Sequence, residues 1–283
     1  SPAGEAVPVF KVGLMKVILS RKGFDSVNGG IVSPILEDGT MISFPIPSTD
    51  ANTYSELEYN GIPYPQLLHD LNYNERKFGF HCHIDPDLDA SRRKNKPADW
   101  FPAFGQINAS ASYLRNIGIA PGNIFLFFVN FHHVTRKPDG TYCHTRRTGD
   151  FYQDKDLQVI WGYLQVGEIL STPERQKAAP WHPHSIPRRT NNRTNVIFKA
   201  SEHLSFAPTL PGACVLPFDQ KRVLTLPGAA KATWKYNPVY VPENLLGCTR
   251  KNSAKKPQAG IYYAGIWQEL GLKESAACDD WCR

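Results

Sequence analysis

Apolar residues in this chain gather in short runs rather than in long periodic stretches. The strongest run covers residues 124–134, where Ile124, Phe125, Leu126, Phe127, Phe128 and Val129 follow one another; it predicts a strongly apolar strand. Pro138-Asp139-Gly140 is a turn signal, and residues 142–147 read as the returning strand, giving the best hairpin in the chain. Residues 157–166 alternate, with Val159, Trp161 and Tyr163 expected on one face. Shorter strands are expected at Val17-Ile18-Leu19, at residues 196–199 and twice within residues 212–226, with an extended segment over 41–46 stopped by Pro47. Helical spacing is sparse. It marks residues 67–71, then 106–117 through Ile107, Ala111 and Leu114 with Gly118 as terminator, and one or two helices within 262–281. With no internal repeat or flexible linker, the pattern predicts a 1–14 extension followed by a single α+β domain over 15–283. A mixed or antiparallel central sheet and a C-terminal helical segment are expected.

Composition narrows this only moderately. The 283 residues are 41% hydrophobic and 20% charged, so the chain is far from the composition of a disordered protein. Aromatic content of 12%, 23 prolines and 21 glycines suit many turns and short elements, which weighs against a helical bundle. No apolar run is long enough to cross a bilayer, and the first eight residues lack the features of a secretory signal. A cytoplasmic protein with no membrane partner is therefore expected. Of six cysteines only Cys278 and Cys282 lie close, and a lone C-x₃-C pair is a weak zinc signal; free thiols are the expectation. A net charge of +6 permits nucleic-acid contact without requiring it.

Five groups of residues could carry chemistry. Ser20, Arg21, Lys22, Gly23, Asp25 and Ser26, followed by Gly29 and Gly30, form a basic glycine loop after a strand, where backbone amides and cationic side chains can hold a phosphate. Its spacing matches neither a P-loop nor a dinucleotide fingerprint, and a solvated basic turn is the plain alternative. In His81-Cys82-His83-Ile84-Asp85-Pro86, an extended backbone puts His81, His83 and Asp85 on one face. They suit metal ligation or a His–Asp acid/base pair, or else a strand end running into an Asp-Pro turn. His182-Pro183-His184 offers two more imidazoles, with Pro183 favouring extended backbone before it. Gln165 and Glu168 are polar within or just after an apolar strand, placed to read a ligand edge or to brace the core. Finally Arg92, Arg93, Lys94, Arg146, Arg147, Arg188, Arg189, Arg193 and the lysines from Lys251 to Lys256, interleaved with Tyr152, Trp100 and Trp181, could form a backbone-binding groove with stacking platforms.

Taken in order, these segments resemble a known family. The opening from Met15 to Ser26 with Gly29-Gly30, then Ser33-Pro34-Ile35, Ser43-Phe44-Pro45-Ile46-Pro47, His83-Ile84-Asp85-Pro86-Asp87-Leu88 and Gly105-Gln106 carry the first half of the resemblance. Asn123 to Phe128, Ile160 to Glu168, His182-Pro183-His184 and Asn195 to Phe198 carry the rest. The chain resembles the nucleotide modification associated domain 3 family from Met15 to about Trp234. The resemblance implies an association with systems that modify nucleic-acid bases, and it names no reaction.

The expected function is therefore an enzyme acting on a nucleotide or a nucleic-acid base, with DNA the favoured polymer and no protein partner named. His83, Asp85, His182 and His184 are the expected catalytic groups, and Ser20 to Ser26, Gly29, Gly30, Gln165 and Glu168 the expected nucleotide contacts. The alternative is a non-catalytic module that binds modified nucleic acid through a basic, aromatic surface. No cofactor is indicated. Because Pro86 can turn the carboxylates away, His83 and Asp85 are expected to act as a metal-free pair, with no metal ligands assigned.

Overall fold

A computed structural model describes residues 13–247, 254–255, 260–263 and 268–283. The expected extension lies almost wholly outside the described residues, and so do most of the lysines between 251 and 256.

The fold is α+β, built on a mixed sheet of nine strands among the described residues. Its main path runs Glu269–Gly271, Val17–Arg21, Ile124–Arg136, Leu157–Leu170, Val196–Ala200, Ala103–Gln106. Val17–Arg21 lies parallel to Ile124–Arg136, as does Ser33–Ile35 further along that strand, and the other ladders are antiparallel. The hairpin closes as the turn signal implies. Gly140 takes φ 86°, Asp139 Oδ1 accepts the Thr141 amide at 2.9 Å, and Tyr142–His144 pairs back onto the long strand.

The central strand is apolar on consecutive residues because both faces of the sheet are covered. Phe125, Phe127, Val129 and Phe131 pack into one cluster with Phe104, Trp161 and Leu164. Ile124, Leu126 and Phe128 pack on the other side with Ile160, Tyr163 and Trp234. A third cluster, of Phe24, Phe44, Tyr54, Tyr64, Leu67 and Leu68, surrounds the helix Tyr64–Asp70.

Three local expectations change. Tyr163 does not share a face with Val159 and Trp161, because a bulge opposite Phe127 and Phe128 inserts Trp161 as an extra residue and reverses the parity beyond it. Residues 212–226 hold one strand, Ala213–Val215, followed by a 3₁₀ turn, Gln220–Arg222, and isolated bridges at Val223 and Thr225. The C-terminal region is not purely helical. Gly260–Tyr263 and Glu269–Gly271 are strands, and the latter edges the main sheet because Leu270 and Leu272 alternate inward; the helix Ala276–Cys282 ends the chain, capped by Ser275. The five described cysteines are free thiols. Burial raises Cys278 to about 11 and Cys282 to about 12, so neither offers a ready thiolate. No helix among the described residues is long and apolar enough to cross a membrane.

Candidate functional site

Residues 81–85 run extended beside residues 46–53, with Cys82 bridging Pro47 and the His83 amide donating to Ile46 O at 2.9 Å. The alternation buries Cys82 and Ile84 and sends His83 and Asp85 the other way. Asp85 stands at the centre, its side chain only 3% exposed. Its Oδ1 accepts the Gly105 amide at 2.9 Å and faces His182 Nε2 at 3.2 Å. Its Oδ2 faces His83 Nε2 and His184 Nε2, each at 3.4 Å. Pro86, joined to Asp85 by a cis peptide, leaves the carboxylate pointing at the three imidazoles.

The remaining ring nitrogens fix the tautomers. His83 Nδ1–H donates to Asp50 Oδ2 at 2.6 Å, and Arg189 in turn donates to Asp50 Oδ1 at 2.7 Å. His184 Nδ1–H donates to Asn195 Oδ1 at 2.7 Å; the Asn195 amide nitrogen is spent on Gln176 Oε1 and His184 O, which orients that side chain. His182 caps the 3₁₀ turn Pro183–Ser185, its Nδ1 accepting the His184 amide at 3.1 Å, so its proton sits on Nε2 and goes to Asp85.

The electrostatics follow. Burial alone would raise the Asp85 carboxyl, but the surrounding imidazoles of His182, His184 and His83 outweigh it and hold Asp85 well below the usual carboxylate range. Burial likewise opposes ionisation of Asp50, and hydrogen bonds from His83 and Arg189 bring it down. Burial keeps His182 below the ordinary histidine value, hence neutral. For His83 burial is overcome by its bonds to Asp50 and Asp85, which raise it.

A cavity of about 240 Å³ opens beside this centre, lined by His83, Asp85, His184, Gly105, Gln106 and Arg189, and on the facing side by Arg21, Lys22, Gly23, Asp25 and Gln268. The structure thus brings together eight of the residues singled out for chemistry in the sequence, with His182 directly behind Asp85. Others lie elsewhere. Ser20 is fully buried within its strand, and Ser26 is exposed at the loop tip. Gly29 and Gly30, at φ 94° and 74°, shape the turn, and a Cβ on Gly29 would stand 2.6 Å from Phe24 Cε2. Gln165 is a core brace that donates to Gly122 O at 2.9 Å and Ser205 Oγ at 2.8 Å, while Glu168 pairs with Arg175. His81 is exposed and bonds the Asp50 carbonyl.

Several amides of the loop are already engaged. Asp25 Oδ1 already accepts from Val27 N at 2.8 Å and Asn28 N at 2.7 Å, and the Gly30 amide goes to Asp25 O. Of the broader basic, aromatic set, Arg93 pairs with Asp87 at 2.8 Å, Trp100 Nε1–H donates to Asp87 at 3.0 Å, and Trp100, Trp181 and Tyr152 are half-buried, while Lys94, Arg146, Arg147, Arg188 and Arg193 are exposed.

Asp50, Asn195, Gly105 and Glu269 complete the site without any role assigned from the sequence, and Arg189, expected only in the basic groove, joins them through Asp50. Glu269 accepts from Lys22 Nζ at 2.8 Å and Gln106 Nε2 at 2.7 Å, closing the cavity from the C-terminal edge strand. Gly105 is required sterically. A Cβ there would lie 2.5 Å from His184 Cγ and 2.9 Å from His182 Cε1, so Gly105→Ala is expected to displace both rings and cost about 1–3 kcal/mol. Urea denaturation checks this; an unchanged midpoint would mean the rings move aside freely.

Fold and site define an α+β protein with a buried carboxylate ringed by three histidines at one end of a mixed sheet. The chain belongs to the nucleotide modification associated domain 3 family, whose model matches residues 16–270. No curated protein and no solved structure matches it.

Proposed function

We propose that this protein is an enzyme that modifies a nucleotide or a nucleic-acid base. One observation carries the reading: a single cavity joins Arg21 and Lys22 to His83, Asp85 and His184. Phosphate needs cationic donors, base chemistry needs groups that take, give or activate a proton, and here both lie around one space. Arg21 and Lys22 serve the phosphate side; His83, Asp85 and His184 serve the reacting atoms, with His182 holding Asp85 in place. At about 240 Å³ the cavity is somewhat below the roughly 300–1,000 Å³ of pockets that enclose a whole drug-sized ligand, so part of a nucleotide enters and the rest lies outside. The family's association with nucleotide modification agrees with this assignment.

Thermal denaturation against a panel of ribo- and deoxynucleotides and single-stranded oligonucleotides tests it. A ligand at about 100 times its Kd stabilises by about 2.7 kcal/mol, a rise of several degrees in Tm. The rise should shrink in Lys22→Ala and His83→Ala, each compared with its own unliganded baseline. No shift with any member would overturn the proposal. Duplex DNA binding with steep salt dependence that ignores both substitutions would instead identify a non-catalytic binding module.

A further inference from the structure

We propose that His83 Nε2, one carboxylate oxygen of Asp85 and His184 Nε2 are the ligands of a divalent first-row transition-metal ion, with its remaining positions open to the cavity. This deepens the reading of the cavity as a reaction centre and replaces the metal-free pair expected from the sequence.

The donor geometry leads to it. Asp85 Oδ2 stands 3.4 Å from each Nε2, and the three donor atoms all lie within 4.8 Å of one another. Ligands held at about 2.1 Å in a tetrahedral shell stand about 3.4 Å apart. With Nδ1 of His83 engaged by Asp50 and Nδ1 of His184 by Asn195, it is Nε2 of each ring that is left facing the carboxylate. One ion between the two Nε2 atoms and Oδ2 satisfies all three donors at once, where without it each ring must carry a second proton to meet the carboxylate.

The surrounding shell has the form that fixes metal ligands. Each ligating ring donates its other nitrogen to an oriented acceptor, and those acceptors are themselves held, Asp50 by Arg189 and Asn195 by its bonds to Gln176 and His184 O. The second oxygen of Asp85 is held by Gly105 N–H and His182 Nε2–H. His182 is thereby a positioning residue and not a ligand, since its Nδ1 is also engaged. Charge points the same way. Of the cations lining the cavity, Arg21 is paired with Asp25, Lys22 with Glu269 and Arg189 with Asp50, so each already faces an acid. A dication at Asp85 adds positive charge beside Arg21 and Lys22 for an anionic substrate. Two imidazoles and one carboxylate suit Zn(II), Fe(II) or Co(II) better than Mg(II) or Ca(II), which prefer oxygen.

The test uses the full chain, freed of metal by chelator and then exchanged into chelator-free buffer, with Zn(II) alone as probe and no nucleotide present. Calorimetric titration is expected to show one ion per chain, with affinity at least about 100-fold lower in His83→Ala and in His184→Ala. His182→Asn should lower it by about 10–100-fold, the usual effect of disturbing a ligand's support. Imidazole ¹⁵N spectra of the unaltered protein supply a measurement that no misfolded variant can confuse. One equivalent of Zn(II) should shift Nε2 of two histidines while a third, His182, keeps its Nε2–H tautomer. Sub-stoichiometric uptake, unchanged affinity in both ligand variants, or His182 as a responding ring would each overturn the proposal. Because the readout is metal alone, nucleotide binding without metal uptake sinks this inference and leaves the enzyme reading standing, and the converse holds equally.

Discussion

Asp85→Ala is expected to lower the free energy of unfolding by about 2–4 kcal/mol, because it leaves buried hydrogen-bond donors without an acceptor. The change strands two buried donors, Gly105 N–H and His182 Nε2–H, each costing about 1–3 kcal/mol. It also removes the acid that separates His83 from His184, whose ring centroids are 5.2 Å apart. Relief of the carboxylate's own desolvation offsets part of this and keeps the total from reaching the sum of its parts. Asp85→Asn is the informative companion. Its amide oxygen can still accept from Gly105 and His182, and its NH₂ can donate to an imidazole lone pair, so a loss of about 1 kcal/mol or less is expected. Urea denaturation of the two variants at neutral pH separates the cases. Equal, large losses in both would mean that Oδ2 faces protonated rings, and the tautomers assigned above would be wrong.

Much of the fold was legible because apolar patterning is a local signal. The uninterrupted run from Ile124 to Val129 marked the central strand, and Pro138-Asp139-Gly140 marked its hairpin. Where reading along the chain failed, the cause was non-local. The bulge that sends Tyr163 to the opposite face arises from its register against Phe127 and Phe128. The strand at Glu269 forms because Val17–Arg21 leaves an edge to be paired. The site divides in the same way. His83 with Asp85, and His182 with His184, stand out because two functional side chains occur within three residues, and the cavity unites three of the four, with His182 behind. Asp50, Asn195 and Glu269 are single polar residues, and only the fold shows that each accepts a hydrogen bond from a site side chain. In the basic loop, Asp25, read as part of a phosphate cradle, lines the cavity while its carboxylate accepts the Val27 and Asn28 amides.

Trp234→Ala is expected to be among the most destabilising changes in the chain, yet to leave the cavity's chemistry intact. The side chain is fully buried, with its ring 4.1 Å from Tyr263, 5.2 Å from Phe128 and 5.6 Å from Tyr240 between centroids. Truncating such a residue costs about 3–5 kcal/mol through lost transfer energy and the cavity left behind. Its Nε1–H also donates to the buried Gln158 Oε1 at 2.6 Å, and stranding that acceptor adds about 1–3 kcal/mol. Against a typical total of about 5–15 kcal/mol the variant should be folded only in the cold or with an osmolyte. Trp234→Phe keeps an aromatic ring and loses the donor, so it should retain most of the packing contribution. Trp234 belongs to the hydrophobic cluster with Ile124, Leu126 and Phe128, no member of which lines the cavity. Zn(II) affinity measured on the folded fraction should therefore stay within about twofold of the unaltered protein, as expected for sites that share no partners. A tenfold loss in Trp234→Phe, with its fold verified by near-ultraviolet circular dichroism, would show that the sheet transmits packing on this face to Asp85 and that the two regions are not independent.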